Sequence, residues 1–279
     1  ISDAMLTQEY FDTMNSLDGD LAGKRSARAY MDQSSAIVHH RVVGASFIPR
    51  LYNNEVWERF RFISETIHTI LCKVIERYRS DGSYRTIFDY DPRLVELILL
   101  PRGYDAISFA RVDIFLNEDT LESAFCELNG DGSAGLNEDR EIVHSIEGSE
   151  TFTRFAAHHQ LESCELFKSW VAEFIAIYET FKNKVAHPRF AICDYLDVGV
   201  VDEFRIFSEY FKQAGYECVI ADVRDLSFDG AVLRDGNGQQ IDAIWRRCVT
   251  NDVLEHWDES QELISAVRAQ AVALIGHSR

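Results

Sequence analysis

Proline and methionine are scarce, with four and three in 279 residues. So little proline excludes a collagen-like or polyproline chain. No apolar run reaches the roughly 18 residues that a membrane-spanning helix needs. Positive charge is also short: 28 basic residues face 46 acidic ones, for a net charge of −18. That field disfavours nucleic acid and anionic membranes, so neither is expected as a partner, and any phosphate site has to be local. Cys72, Cys126, Cys164, Cys193, Cys218 and Cys248 include no C-x-x-C pair. Their scatter through apolar runs argues for reduced thiols in a cytoplasmic protein rather than a zinc ribbon or disulfide framework. The phosphate loop G-x-x-x-x-G-K-[ST] is missing too.

What is there can build a core. Hydrophobic residues make up 46% of the chain, enough at this length for one large or two ordinary domains. Apolar residues at helical spacing predict helices over residues 5–17, 55–79, 92–100, 149–159 and 165–184. Pro92 suits a first helical position, and Ser149 an N-cap. Residues 18–24 read as a polar break, and 36–47 as a strand or a strand plus loop. His39 and His40 are neighbours, so on a strand they face opposite ways and make a poor zinc pair.

From residue 189 strands and helices alternate. Strands are expected at 190–195 and 216–221 with a helix at 202–214 between them. Runs at 229–234 and 240–245 flank the turn Asp235-Gly236-Asn237-Gly238, and a helix is expected over 259–274. Such alternation argues for a parallel sheet. The expected fold class is therefore α/β: an α+β portion over 5–187, then a small Rossmann-like α/β domain over 188–279. No G-x-G-x-x-G follows the first strand of that second part. Asp197-Val198-Gly199 is instead a candidate ligand loop at that strand's carboxyl end.

The chemistry concentrates in residues 109–138, FARVDIFLNEDTLESAFCELNGDGSAGLNE. Residues 108–116 and 123–129 alternate with period two around a polar turn, as paired half-buried strands do. A hairpin centred near Thr120 sets Asp113 opposite Glu127 and Arg111 opposite Asn129. Like charges so placed destabilise a sheet unless a cation lies between them. Two readings of that face stand: a Mg²⁺ platform, or a solvated face on which Arg111 pairs with one acid. An EF-hand beginning at Asn129 fails, because Ala134 and Arg140 stand where Gly and Glu are required. The glycine-rich loop with Ser133 can receive a carboxylate or phosphate, or be an ordinary turn. Arg246 and Arg247 end an apolar strand, where they suit phosphate, a carboxylate or an ion pair.

Arg-x-Asp followed by Glu-x-Asn on the next strand resembles the magnesium-binding half of ATP-grasp ligases. The order of elements resembles the circularly permuted branch, similar to glutathionylspermidine synthase. FCELNGDGSAGLNE looks like that family's acidic strand and small-residue loop, and FAICDYLDVG through IDAIWRR like its small pre-ATP-grasp domain. The resemblance covers roughly residues 30–279. It implies an ATP-dependent carboxylate–amine ligase working through an acyl phosphate. Asp113, Glu127 and Asn129 would be the Mg²⁺ ligands and Arg111 the catalytic cation. Ser133 and Arg247 would lie on the substrate side, with Ser34 and Ser35 as weaker candidates. Cofactors would be Mg²⁺ and ATP. Partners would be a small-molecule or peptide carboxylate and an amine. The family's nucleotide lobe has no counterpart here, so the chain is expected to be part of a longer ligase and inactive alone; a shorter natural relative is the rival. Alternatives are a non-catalytic binding module for an acidic metabolite or peptide, and a metal-dependent hydrolase.

Overall fold

The computed structural model describes residues 2–38, 41–104, 110–130, 132–197, 201–276 and 278. His39, His40, Ser108, Phe109, Asp131, Val198 and Gly199 lie outside the described residues. Along the chain run α1 (Asp3–Asn15), α2 (Leu21–Met31), β1 (Ile37–Val38), β2 (Arg41–Val42), α3 (Asn54–Ser80), α4 (Gly82–Arg85), α5 (Pro92–Leu99), β3 (Arg111–Leu116) and β4 (Ser123–Asn129). Then follow α6 (Leu136–Glu147), α7 (Glu150–Ala156), α8 (Leu166–Glu179), β5 (Arg189–Asp194), α9 (Val201–Gln213), β6 (Glu217–Asp222), β7 (Ser227–Phe228) and β8 (Leu233–Arg234). The last elements are β9 (Ala243–Arg246), α10 (Thr250–Glu255), α11 (Gln261–Arg268) and β10 (Ala273–Ile275). This is an α/β fold. Among the described residues no helix is long and apolar enough to cross a membrane.

The chain forms two compact units, each drawn from several stretches of the sequence. The first comprises Ile1–Ser64, Ile114–Phe125 and Ala134–Leu166; the second Glu65–Asp113, Cys126–Ser133 and Phe167–Arg279.

In the first unit helices pack in pairs. The ring of Tyr10 on α1 meets that of Phe155 on α7 edge-on, 5.3 Å between centroids. Ser149 caps α7 as expected, accepting from the Phe152 amide at 3.1 Å. The polar break at 18–24 is in fact a helix start. Asp20 caps α2 through the Gly23 amide and also accepts from the Thr151 amide and hydroxyl. A Cβ on Gly23 would come within 2.6 Å of that carboxylate, so the glycine belongs in the first turn. Burial pushes the Asp20 carboxyl up, but the bonds from Thr151 and Gly23 outweigh it and hold it below the usual range.

The second unit is built on a parallel sheet of order β10-β9-β5-β6. Its strands read as apolar runs, as strands covered on both faces do. Phe190 packs against Phe174 of α8 and Phe211 of α9, while Ala191, Cys193 and Ile244 join Leu263, Ile264 and Val267 of α11. The helix expected over 259–274 is corrected here. α11 stops at Arg268, Gln270 turns the chain at φ 55°, and Ala273 to Ile275 enter the sheet no more than 7% exposed. A three-residue strand carries too short an apolar run to be told from a helix end by periodicity.

Candidate functional site

β3 and β4 pair as a two-stranded sheet. Asn117 makes the turn: its side-chain oxygen accepts from the Asp119 and Thr120 amides, both at 3.0 Å, and its own amide donates to the Glu122 carbonyl at 2.9 Å. An Asn side chain bonding to the backbone ahead of it is a standard turn device. Counted from the Asn117–Glu122 bond, an uninterrupted ladder sets Asp113 across from Cys126. That count falls one residue short of the expected Asp113–Glu127 pairing.

Arg111 and Asp113 form an ion pair, Nε to Oδ1 3.0 Å, with both side chains about half exposed. Glu127 is exposed and makes no ion pair or hydrogen bond among the described residues. Asn129 ends β4 half-buried, and its amide nitrogen is buried without a hydrogen-bond partner among the described residues. The hairpin thus carries one paired acid, one unpaired acid and one amide short of a partner. Among the described residues no three His, Cys, Asp or Glu side chains cluster as a metal site. A set of two carboxylates and an amide oxygen falls outside that description, and it is a hard-oxygen set.

Beyond Asn129 the chain is anchored on the parallel sheet. The Ser133 hydroxyl donates to the Asn129 carbonyl at 2.8 Å, and the Ser133 carbonyl accepts from Arg247 Nη1. Arg247 is enclosed: its side chain is 5% exposed, Nη2 lies 3.3 Å from Glu203 of α9, and its plane faces the Trp245 and Phe204 rings. Arg246 is buried too, donating to the Gly276 and Cys248 carbonyls. Ser133 and Arg247 are therefore brought together, each engaged with the other. Ser34 and Ser35 belong to a different cluster in the first unit, where Ser35 bonds Asn137 of α6.

This anchor stands where the sheet changes direction. β6 lies on one side of β5, and β9, later in the chain, on the other. Open α/β sheets bind ligands at the carboxyl ends of strands beside such a switch point. Asp194 ends β5 there, 8% exposed. Burial pushes its carboxyl up to about 6, against the Tyr195 amide and the Arg247 charge, which pull it down. Its neighbour across the sheet, Asp222, is gripped by Arg224 and held at about 2. Asp197, the one described member of the proposed ligand loop, pairs with Arg224 at 2.9 Å.

Opposite pH effects follow from these two acids. Between pH 4 and 6 an unfolded chain releases the Asp194 proton while the folded chain keeps it, so Asp194 lowers stability as pH rises. The fall amounts to about 2–3 kcal/mol by pH 7. Asp222 acts the other way, adding stability above pH 4 that is lost as pH falls towards 2. Chemical denaturation of Asp194→Asn should therefore match wild type near pH 4 and exceed it by about 2 kcal/mol at pH 7. An equal difference at both pH values would contradict the raised carboxyl.

Gly132 carries a second expectation. Its φ is +63°, and a Cβ there would stand 2.6 Å from a Val249 methyl. Gly132→Ala should destabilise by about 1–2 kcal/mol from the left-handed backbone alone, with the collision added. Gly132→Ala combined with Val249→Ala should recover the collision but not the backbone share; full recovery or none would show that the contact is misplaced.

Sequence reasoning missed Asp194, Glu203 and the enclosure of Arg247. An acid closing the apolar run FAICD was a signal for the first. It named the glycine-rich loop but not the G-x-G-x-x-G spacing of Gly130, Gly132 and Gly135 between β4 and α6. That spacing brings backbone amides toward phosphate, although β4 lacks the parallel βαβ setting of a dinucleotide fold. All six cysteines are free thiols. No protein-family model matches this chain, and no curated protein matches it.

Proposed function

We propose that the chain is the metal- and substrate-bearing part of a cytoplasmic, ATP-dependent carboxylate–amine ligase of the permuted ATP-grasp type. The observation that carries this reading is the pairing of β3 with β4, which puts Arg-x-Asp and Glu-x-Asn on neighbouring strands just ahead of an anchored glycine-rich loop. The free thiols, with Cys193, Cys218 and Cys248 buried, support the compartment.

Asp113, Glu127 and the Asn129 amide oxygen are the groups that would hold Mg²⁺. The fit rests on Glu127, exposed and unpaired among the described residues, and on the hard-oxygen character of the set. Bound there, the ion would neutralise charge on phosphate oxygens. The chain's own residues do the rest. Arg111, steered by Asp113, offers its guanidinium to the transferring phosphoryl group as the substrate carboxylate attacks ATP and ADP leaves. The amine then attacks the acyl phosphate and phosphate departs. Such transfers need position and charge more than covalent help from the protein. Arg247 holds Ser133, and with it the loop, on the substrate side.

The test is calorimetry of ADP on the complete natural protein, with Mg²⁺ and with EDTA. ADP binding that requires Mg²⁺ and weakens at least tenfold in Glu127→Gln supports the ligase. ADP binding that ignores both Mg²⁺ and Glu127, or no binding under either condition, overturns it.

A further inference from the structure

Two acids end neighbouring strands of the parallel sheet, and their surroundings differ. Asp222, ending β6, is saturated: Oδ1 accepts from the Arg224 amide and Nε, and Oδ2 from Arg224 Nη2 and the Leu196 amide. Asp194, ending β5, is half empty. Its Oδ1 accepts from the Tyr195 amide at 2.9 Å, while Oδ2 meets no donor among the described residues and is not sealed from the surface. Yet the residue is only 8% exposed. A carboxylate so enclosed ordinarily has a cation or a full set of donors, because burial penalises an unmatched charge.

The charges around Asp194 leave it unmatched. Arg247, whose amide bonds the Cys193 carbonyl at 2.8 Å, pulls on Asp194 as a charge, but its guanidinium is engaged by Glu203 of α9 and by the Ser133 carbonyl. Arg224 is bound to Asp222 and Asp197, and Arg246 to the Gly276 and Cys248 carbonyls. Asp252 of α10 and Asp222 push the other way, and Asp252 has no ion pair among the described residues. Five acids, Asp194, Asp197, Glu203, Asp222 and Asp252, thus face the three cations Arg224, Arg246 and Arg247. This is the crevice beside the switch point, where open α/β sheets take ligands, and what it lacks is positive charge. One open oxygen suits a compact ammonium. A guanidinium fork needs both oxygens, and the Tyr195 amide holds one of them.

We propose that the crevice at the carboxyl ends of β5 and β9 binds a primary ammonium group on Asp194 Oδ2, with the Asp252 charge beside it. The site stands on Asp194 and its neighbours alone; assigning that ammonium to the amine of the proposed ligation is what rests on the ligase reading. The bound ammonium supplies the charge that burial denies Asp194, so binding releases the proton that the empty site keeps up to about pH 6. A primary amine stays protonated throughout this range, so the pH dependence belongs to the carboxyl.

The experiment is a titration of the whole protein with butylamine, butanol, butyrate and butylguanidine, by calorimetry and backbone NMR shifts, at about 0.15 M salt to screen scattered surface attraction. Butylamine is expected to bind at least tenfold tighter than butanol or butyrate, and tighter than butylguanidine, with shifts centred on residues 194–197, 222–224 and 247–252. Its affinity is expected to fall about tenfold from pH 7.5 to pH 5, as Asp194 takes up its proton. Asp194→Asn, which should fold at least as well as wild type at pH 7, is expected to weaken binding at least tenfold, and Asp252→Asn about two- to threefold. No butylamine binding, butanol or butylguanidine binding as tightly, shifts scattered over the acidic surface, or undiminished binding to Asp194→Asn would overturn the proposal. Neither nucleotide nor Mg²⁺ is present, so a failed ADP titration leaves this site standing, and a failed butylamine titration leaves the ligase reading standing.

Discussion

Glu127→Gln should lower ligation by a factor of about 10²–10³ and leave the fold as it is. A metal ligand at a phosphoryl-transfer site is worth several kcal/mol of transition-state charge stabilisation, and each 1.4 kcal/mol is tenfold in rate. The fold should not notice, because Glu127 is exposed and bonds to nothing described around it. Exposed substitutions of that kind fall within about 0.5 kcal/mol of wild type. The measurement is phosphate release from ATP in the presence of acid and amine substrates, with circular dichroism and a melt as the control on folding. Asp113→Asn should lose activity too, and should also free Arg111 from its 3.0 Å partner. Wild-type turnover in Glu127→Gln would remove Glu127 from the metal set.

Arg247→Ala should be the most destabilising single change of the candidate site, by about 3–5 kcal/mol. Glu203 is 1% exposed, and Arg247 is its ion-pair partner. Removing one member of a buried pair leaves the other charged and desolvated. The Ser133 carbonyl loses its donor at the same time. Because the loss comes from the stranded carboxylate more than from the pair's own attraction, Arg247→Met with Glu203→Met should recover most of it. Urea midpoints of the two singles and the double decide this. A double variant no better than Arg247→Ala would mean that the stranded carboxylate is not the cause. Hydrogen exchange at Gly132 and Ser133 should rise in Arg247→Ala if the guanidinium anchors the loop.

Several elements were legible in the sequence because local chemistry alone decides them. Ser149 ahead of Glu150 and Pro92 opening α5 need no knowledge of distant partners; the strand expected at 123–129 forms, but Ser123 to Glu127 are all exposed, so its burial does not alternate. The α/β class follows in the same way from apolar runs ended by Gly215 and the turn at 235–238. Other elements were hidden by what they bury. α6 places Asn137, Glu141 and Ser145 in the interior, so its inward face does not read as apolar. α2 buries Gly23, Ala27 and Met31, a thin stripe behind a glycine. Glu141 is buried because Arg140 and Tyr30 bond to it, and Tyr30, 111 positions away, lies outside any sequence window.

The site divides along the same line. Arg111, Asp113, Glu127 and Asn129 are proposed from strand alternation and a resemblance, both of which act within 20 residues. Arg247 could be named as a basic group at a strand end, but not as an enclosed one. Its enclosure depends on Glu203, 44 positions away, and on Ser133, 114 positions away.

The central claim is that Asp113, Glu127 and Asn129 serve one cation. Mn²⁺ replaces Mg²⁺ at hard-oxygen sites and broadens the NMR signals of nearby amides, so substoichiometric Mn²⁺ titrated into the isotope-labelled protein maps the site directly. The account predicts that residues 112–114 and 126–130 broaden first and together, that excess Mg²⁺ restores them, and that Glu127→Gln abolishes the effect. Broadening spread over the acidic surface, or broadening near Asp113 that leaves residues 127–129 sharp, would contradict it.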